Sequence, residues 1–345
     1  MGAGSLQERE VARARRTYAE PRETILAAGL LERARGYYAW RGGLSFLLLA
    51  PAIGAGLFLP AGPGATLLAA CLLAFASVQV ALVGHDAAHL AVFGSTRANV
   101  ALGWLCWSLV LGIGFWYWTD RHNRHHACTN DLAADPDLQW AGLVAYSDAA
   151  ARARPRGHWL TRHQDILGPV YTLGLAFAFR AEGWHFASRR LSGRRRAVEV
   201  ALLASSVVGW ALPVLALGWA WLGTFLLAQV VAGVYLALVI APNHKGMPTW
   251  PAGGAPPFLE RQVLSSRNVR PHPVSDFVFG GLNYQIEHHL FPSMPRVHFG
   301  RARAIVMPFC LAHGLPYQEM GAFASYRLVL SELRRVGRSA AVTYG

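Results

Sequence analysis

The sequence predicts an all-α integral membrane protein with two transmembrane helical hairpins, interfacial helices and a histidine-rich cap on the cytoplasmic face. Three observations support this fold class. Hydrophobic residues make up 53% of the 345 residues and charged residues only 15%, against about 25% charged in a typical soluble domain. Long stretches carry no charge, and the 14 histidines are partly clustered. The same composition excludes a disordered chain, because such chains are poor in apolar residues.

Four stretches without charge supply the membrane segments, at residues 42–60, 62–84, 99–119 and 200–243. About 20 apolar residues cross a bilayer, so the last stretch is long enough for two crossings joined by a turn near 217–219. The two hairpins are therefore predicted to consist of four spans at residues 42–60, 64–84, 198–217 and 219–241.

The rest of the chain is divided around these spans. Residues 1–41 are predicted to form a cytoplasmic N-terminal segment, residues 42–335 the membrane domain, and residues 336–345 a C-terminal tail. The apolar segments 99–118 and 166–181 are interpreted as interfacial or re-entrant helices. A single crossing by the first of them would place the histidines on either side of it on opposite faces of the membrane.

The distribution of positive charge along the chain indicates how the spans are oriented in the membrane. Of the 32 lysines and arginines, eight precede residue 44, twelve lie between 121 and 196, and eleven follow from 245 onward, whereas the hairpin turns carry none. Positive residues stay cytoplasmic, so both hairpins enter from and return to the cytoplasm. The charge also favours contact with anionic membrane lipids, and no nucleic acid partner is expected. A single lysine against 31 arginines indicates a bacterial genome rich in GC and hence a bacterial cytoplasmic membrane.

Three histidine clusters carry the chemistry, at residues 85–89 (HDAAH), 122–126 (HNRHH) and 285–289 (QIEHH). Positions i, i+3 and i+4 share one face of a helix. If three short helices converge at the cytoplasmic membrane surface, seven imidazoles and one amide meet there. They belong to His85, His89, His122, His125, His126, His288, His289 and Gln285.

Metal binding explains why so many imidazoles are gathered. Protonated rings would repel one another, and unpaired buried rings would lose their solvation. Seven or eight ligands exceed one tetrahedral zinc and suit two metals, although imidazole accepts Zn, Cu, Fe and Ni. His244, in the segment APNHKG after the last span, lies at the same depth as His85 and is a further candidate ligand; a solvated loop histidine is the alternative. The four scattered cysteines form no CxxC pair, which argues against a thiolate site.

The three boxes, in this order and interleaved with two membrane hairpins, resemble the membrane fatty acid desaturase superfamily. The resemblance covers about residues 40–335 and is most specific at 283–292 (NYQIEHHLFP). It implies a non-haem di-iron centre and the O2-dependent removal of two hydrogens from adjacent methylenes of a fatty acyl chain. The metal ligands that it implies are His85, His89, His122, His125, His126, His244, His288 and His289.

The resemblance also implies the surroundings of the centre and its partners. Asp86 and Asn243 look like groups that orient imidazole or water, and Gln285 and Glu287 are further candidates for this role. Gln285 stands where many members have histidine, as in front-end desaturases, which insert a double bond between an existing one and the carboxyl end. The acyl substrate would be carried by a lipid, coenzyme A or acyl carrier protein. The HPGG motif of a fused haem domain is absent, so electrons are predicted to come from a separate ferredoxin and its reductase.

Two alternative functions remain open. A hydroxylase or ketolase acting on a lipid or carotenoid would use the same di-iron site. A non-catalytic membrane protein for metal binding or transport is a remote alternative, since it predicts polar residues along the spans.

Three further motifs have two interpretations each. The aromatic residues between 104 and 118 are read as an interfacial belt or as a wall of the acyl site. Five arginines within 189–196 are read as a topology anchor or as a docking site for an acidic ferredoxin or for phosphates. The segment 135–137 (DPD) is read as a turn, or as a contact to the surroundings of the metal.

Overall fold

The computed structural model describes residues 18–59, 62–139, 143–154 and 158–339. These residues are mainly helical, with one pair of two-residue strands, and the all-α membrane prediction is confirmed. Four helices are long and apolar enough to cross a membrane, or up to five if one bent pair is a single span. Residues 1–17 of the predicted N-terminal segment, the first hairpin turn at 60–61 and the tail beyond residue 339 lie outside the described residues.

The four candidate spans begin earlier or extend further than the sequence suggested. They are Arg35–Phe58, Pro63–Ala88, Gly193–Leu215 and Trp219–His244. The first is made of two consecutive helices, Arg35–Leu47 and Leu49–Phe58. It includes Arg41, which is 7% exposed and donates to the side-chain oxygen of Gln79 on the second span. The third includes the buried Glu199. A polar residue with a partner inside the protein does not end a membrane helix, and this is why the candidate spans extend beyond the charge-free stretches.

The described chain separates into two compact units. One unit, here called the span unit, consists of Arg33–Asn123 and Pro169–Leu238. The other, here called the polar unit, consists of Met1–Glu32, Arg124–Gly168 and Val239–Gly345.

Within the span unit, glycines set the turn and the packing of the hairpins. Helix Gly193–Leu217 ends at Gly218, whose φ of +63° and ψ of −147° lie in a backbone region that essentially only glycine adopts. A Cβ placed on Gly56 would lie 2.6 Å from Cζ3 of Trp221, so the glycine permits close contact of the first and fourth spans. Large apolar side chains face outward, among them Leu215, 86% exposed, and Phe58, 84% exposed. This exposure is favourable in lipid and costly in water.

The apolar segment at 99–118 is a broken helix. Thr96–Gly103 continues into a π-helical stretch, Trp104–Val110, and a bend of 112° then leads into helix Phe115–Ala127. The bend contains Gly112 at a φ of +67°. The hydroxyl of Ser108 accepts from the backbone N–H of Phe115 at 3.1 Å. The bent pair is therefore either a broken span or a re-entrant element.

The helices at 164–189 are not among the candidate spans. They are Gln164–Tyr171, the 3₁₀ turn Thr172–Gly174 and Leu175–Arg189.

The polar unit is built from short helices around its own core. Its remaining helices are Asp148–Arg152, His158–Arg162, Phe258–Leu264, Pro273–Val278, Gln285–Leu290, Phe299–Ala312 and Ala322–Ser339. The parallel strands Asn268–Val269 and Glu319–Met320 join two distant segments. The core contains Ile286 and Leu290 of the third histidine box helix, packed with Val263 and Val306. That helix is thereby fixed by apolar burial.

Candidate metal centre

The span unit brings three of the predicted ligands together. His85 lies in the last turn of helix Pro63–Ala88, His89 follows it, and His122 lies on helix Phe115–Ala127. The Nε2 atoms of His85 and His122 are 2.9 Å apart, and the three ring centroids are separated by 4.8 to 4.9 Å. One nitrogen from each ring lies within 4.8 Å of the others. Only a shared proton or a shared metal makes such a close approach of ring nitrogens favourable.

The ring of His85 is oriented by a contact between its Nδ1 atom and Asp86. Its Nδ1 lies 3.2 Å from a carboxylate oxygen of Asp86, and the other oxygen of Asp86 accepts the hydroxyl of Tyr38 at 2.7 Å. A carboxylate accepts a hydrogen bond from a nitrogen that bears a proton, so the proton of His85 lies on Nδ1 and its lone pair on Nε2. Burial, and next the neighbouring His85, lower the pKa of His89 well below its usual range, so that ring is neutral and able to bind a metal.

The polar unit holds a second group, formed by His125, His244 and His289. Their ring centroids lie 4.6 to 5.1 Å apart, and their ligand nitrogens lie within 4.8 Å of one another. All three side chains are at most 2% exposed.

Each ring of this second group is held through Nδ1 by a different buried partner. Nδ1 of His125 lies 3.0 Å from both carboxylate oxygens of Asp135. Nδ1 of His244 donates to the carbonyl of Ser265 at 2.9 Å, and Nδ1 of His289 to the amide oxygen of Gln262 at 2.9 Å. Each ring therefore presents Nε2 on the side away from its Nδ1 partner, the usual arrangement behind metal-binding imidazoles.

The remaining two box histidines flank this group. His126 stacks on His289 at 4.1 Å, and His288 meets His126 edge to face at 4.7 Å. The ligand nitrogens of His126, His288 and His289 also lie within 4.8 Å of one another.

Asp135 is the most strongly bound carboxylate near these rings. It is fully buried, and besides His125 it accepts the backbone N–H groups of Asn130 and Asp137, both at 2.8 Å. Burial alone would lower the pKa of His125, but Asp135 and Asp137 together outweigh it and raise that pKa. The carboxylates therefore favour positive charge at this ring, from a proton or from a metal ion.

The predicted surrounding groups divide into two kinds. The amide nitrogen of Gln285 lies 2.8 Å from Nε2 of His244, and Asn243 fixes that amide by donating to its oxygen at 3.0 Å. Glu287 instead accepts from Asn268 at 2.8 Å and from the hydroxyl of Tyr317 at 2.7 Å. Burial raises the pKa of Glu287 to about 7. These contacts tie the third box helix to the strand Asn268–Val269.

Sequence reasoning missed several residues that hold the site. They are Tyr38, Thr129, Gln262, Ser265 and Asn268, together with Glu199 on the third span. None has a distinctive spacing, and each acts through a partner far away in the chain. Of the two interpretations of the segment 135–137, the contact of Asp135 with His125 supports the one that places it beside the candidate ligands.

The histidine boxes also differ in local structure from the three short helices that we predicted. Only the third box lies on a short helix, Gln285–Leu290; the first lies at the end of a spanning helix and the second at the end of Phe115–Ala127.

The fold and the histidines define an integral membrane protein with a candidate multi-histidine metal centre. The sequence profile of the fatty acid desaturase family matches residues 58–321, more than half of the chain. The chain belongs to this family.

Individual relatives are similar over most of this chain. An acyl-lipid (9-3)-desaturase of Physcomitrium patens is 30% identical over 80% of this chain and 54% of its own length. A delta(6)-fatty-acid desaturase of Caenorhabditis elegans is 28% identical, over 77% and 64%. A delta(8)-fatty-acid desaturase of Euglena gracilis is 28% identical, over 86% and 73%. The chain thus spans about half of the first relative's length and less than two thirds of the second's.

Proposed function

We propose that this protein is an O2-dependent fatty acyl desaturase that acts in lipid metabolism with two histidine-held iron ions. The observation that carries the proposal is the collection of all eight predicted ligands into groups of converging ring nitrogens. Family membership adds the class of substrate, since the relatives above are named for desaturation of fatty acids or acyl lipids.

The donor set fits iron. It consists of imidazoles, which non-haem iron accepts in their neutral form, and eight of them exceed the needs of one ion. We assign His85, His89 and His122 to one iron, and His125, His244 and His289 to the other, with His126 and His288 completing the ligand set. Bound iron would supply the reduction of O2 and the oxidation of an unactivated C–H bond, which no side chain can perform.

The side chains of this chain would do the rest. Asp86, Asp135 and Gln262 accept hydrogen bonds from Nδ1 atoms, which would leave the Nε2 lone pairs of these imidazoles to bind the metals. Gln285 presents an N–H donor beside His244, which is suited to binding an oxygen atom at the centre. Five of the eight rings are buried, which limits their contact with bulk water and would protect a reactive centre from side reactions.

The substrate, donor and membrane orientation complete the proposal. The acyl chain would enter from lipid or from an acyl carrier, and a separate ferredoxin with its reductase would supply electrons. The positive-inside pattern favours an active site on the cytoplasmic face of a bacterial membrane. Gln285 favours insertion of the new double bond on the carboxyl side of an existing one.

A fatty acid profile tests the proposal directly. The chain is expressed in a bacterium with few unsaturated lipids, with ferredoxin, reductase and a mono-unsaturated acyl substrate supplied. Mass spectrometry with double-bond localisation then reads the products. A new double bond is expected, and its position gives the regiochemistry. Hydroxylated or keto products would show that the protein is a hydroxylase or ketolase and not a desaturase. Iron-loaded protein that forms no acyl product would overturn the proposal.

A further inference from the structure

A stack of aromatic rings ends on one of the candidate ligands. The indoles of Trp107 and Trp118 are stacked, with centroids 4.2 Å apart and planes inclined by 20°. Trp118 in turn stacks on the imidazole of His122 at 5.2 Å and 17°. Trp107 is 1% exposed and Trp118 is 6% exposed. Such burial is not that of an interfacial belt, whose aromatic residues have one face in the headgroup region.

The other end of the stack presses on the residue before the first histidine box. A Cβ placed on Gly84 would lie 2.7 Å from Nε1 and 2.8 Å from Cδ1 of Trp107, and 2.7 Å from Cβ of Cys106. Real Cβ atoms are not found that close to other heavy atoms. The glycine is therefore a requirement of the contact between helix Pro63–Ala88 and the π-helical stretch.

The contacts close a ring. Gly84 contacts Trp107, and Trp107 stacks on Trp118. Trp118 stacks on His122. Nε2 of His122 lies 2.9 Å from Nε2 of His85, the residue that follows Gly84. Every member lies in the span unit. The width of two stacked indoles thus determines how far the second box stands from the first.

We propose that Gly84, Trp107 and Trp118 form a positioning brace that sets the separation of His85 and His122 and thereby the metal affinity of the first histidine group. The brace touches neither iron nor substrate in this role. It acts through the direction of the His122 ring and through the spacing of two helices. The inference rests on the proposed function, because it presupposes that this group binds a metal.

The proposed positioning role depends on the ring faces of the two indoles and not on their N–H groups. Among the described residues, the Nε1 atoms of Trp107 and Trp118 have no hydrogen-bond acceptor although they are buried. A buried donor without an acceptor costs stability. Phenylalanine would keep a stacking face and remove that cost, whereas leucine would remove the stacking face.

The experiment measures metal binding by the full-length protein in detergent, without turnover. Apo-protein is titrated with Co²⁺, and the bound metal and its visible absorption are recorded. The variants are Gly84→Ala, Trp118→Phe and Trp118→Leu. The matched control is Gly56→Ala, because the Cβ at Gly56 would also meet a tryptophan, Trp221, at 2.6 Å but has no histidine behind it.

The wild type is expected to bind two Co²⁺ ions. Gly84→Ala and Trp118→Leu should weaken one of the two sites about 10- to 100-fold, the effect typical of losing support behind a ligand, and should alter only that part of the absorption. Trp118→Phe should keep both affinities, as should Gly56→Ala.

The outcomes separate the two claims. A wild type that binds no metal would overturn the metal centre itself. A wild type that binds two ions, with unchanged affinities in folded Gly84→Ala and Trp118→Leu, would overturn the brace and leave the centre standing. Equal weakening of a site by Gly56→Ala would also overturn the brace, because the effect would then come from general loosening of the spans.

Discussion

At the scale of single residues, the recurring feature of this protein is an imidazole whose Nδ1 atom is hydrogen-bonded to a buried acceptor. Asp86, Asp135, Gln262 and the carbonyl of Ser265 each occupy one Nδ1 atom. Asp86 lies inside the first histidine box, whereas Gln262 and Ser265 lie at the end of helix Phe258–Leu264. The pattern of histidines was visible in the sequence because the i, i+3, i+4 spacing is repeated, and Asp86 was visible beside it. The contacts of Gln262 and Ser265 depend on tertiary structure that no local spacing encodes.

Removal of a ligand should abolish the reaction. We expect His126→Ala or His289→Ala to eliminate desaturation and to lower bound iron, with normal insertion in the membrane, because each ring belongs to a group of converging nitrogens. Iron analysis and lipid profiles of purified variants measure this. The control is His185→Ala, since His185 is exposed on helix Leu175–Arg189. A fully active His126→Ala protein would refute the ligand assignment.

Loss of the charge at Asp135 should weaken the metal site without unfolding the protein. Asp135→Asn keeps a hydrogen-bond acceptor but removes the charge that favours a metal ion at His125, so we expect about a 10- to 100-fold loss in metal affinity. Titration of apo-protein with Co²⁺ gives the value. Asp148→Asn is the matched control, because Asp148 pairs with Arg335 at the surface. Equal affinities of the two variants would contradict the prediction.

At the scale of elements, the boundaries of the spans were harder to predict than their number. Three charge-free stretches, the last of them divided into two crossings, predicted four spans because lipid excludes unpaired charge. Four helices are long and apolar enough to cross a membrane, or up to five if the bent pair is one span. The first candidate span begins at Arg35 rather than at residue 42, because Arg41 finds Gln79 inside the protein. The third begins at Gly193 and includes Glu199, which accepts the indole N–H of Trp104 at 2.7 Å and the backbone N–H of Trp116 at 3.3 Å. The apolar segment 99–118 was predicted to be interfacial or re-entrant. Its bend of 112° could not be predicted, because Gly112 and Gly114 alone do not specify an angle.

Glu199 should stabilise the broken helix. It supplies an acceptor to the first turn of Phe115–Ala127, where backbone N–H groups have no helical partner. Glu199→Leu leaves two donors without this acceptor, and we expect a loss of about 1–3 kcal/mol for each; Glu199→Gln should lose less. Thermal unfolding in detergent reads the effect, with the exposed Glu182→Gln as control. A Glu199→Leu protein that unfolds at the wild-type temperature would show that the contact is dispensable.

At the scale of the whole molecule, charge and hydropathy together predict the orientation of the hairpins. The turns at 60–64 and 218 carry no positive charge, whereas five arginines lie within 189–196. Arginine-rich segments stay on the cytoplasmic side, so the start and the end of the third span should face opposite compartments.

Cysteine labelling checks this orientation. In a variant without the four native cysteines, Arg196→Cys should react with a membrane-impermeant maleimide only in inside-out vesicles. Trp219→Cys, at the other end of the span and 83% exposed in the wild type, should react only from outside intact cells. Labelling of both positions from one side would mean that this helix does not cross the membrane.

The buried acceptors behind the imidazoles also bear on how the protein matures. In a zinc finger the ligands are collected by the ion, so folding waits for metal. Here the ring directions are set by Asp135, Gln262 and the Ser265 carbonyl, all fixed by packing and hydrogen bonds of the chain itself. On the proposed assignment of the two irons, the chain would insert and fold before it binds metal, and a supply of iron would then complete the centre in protein that already exists.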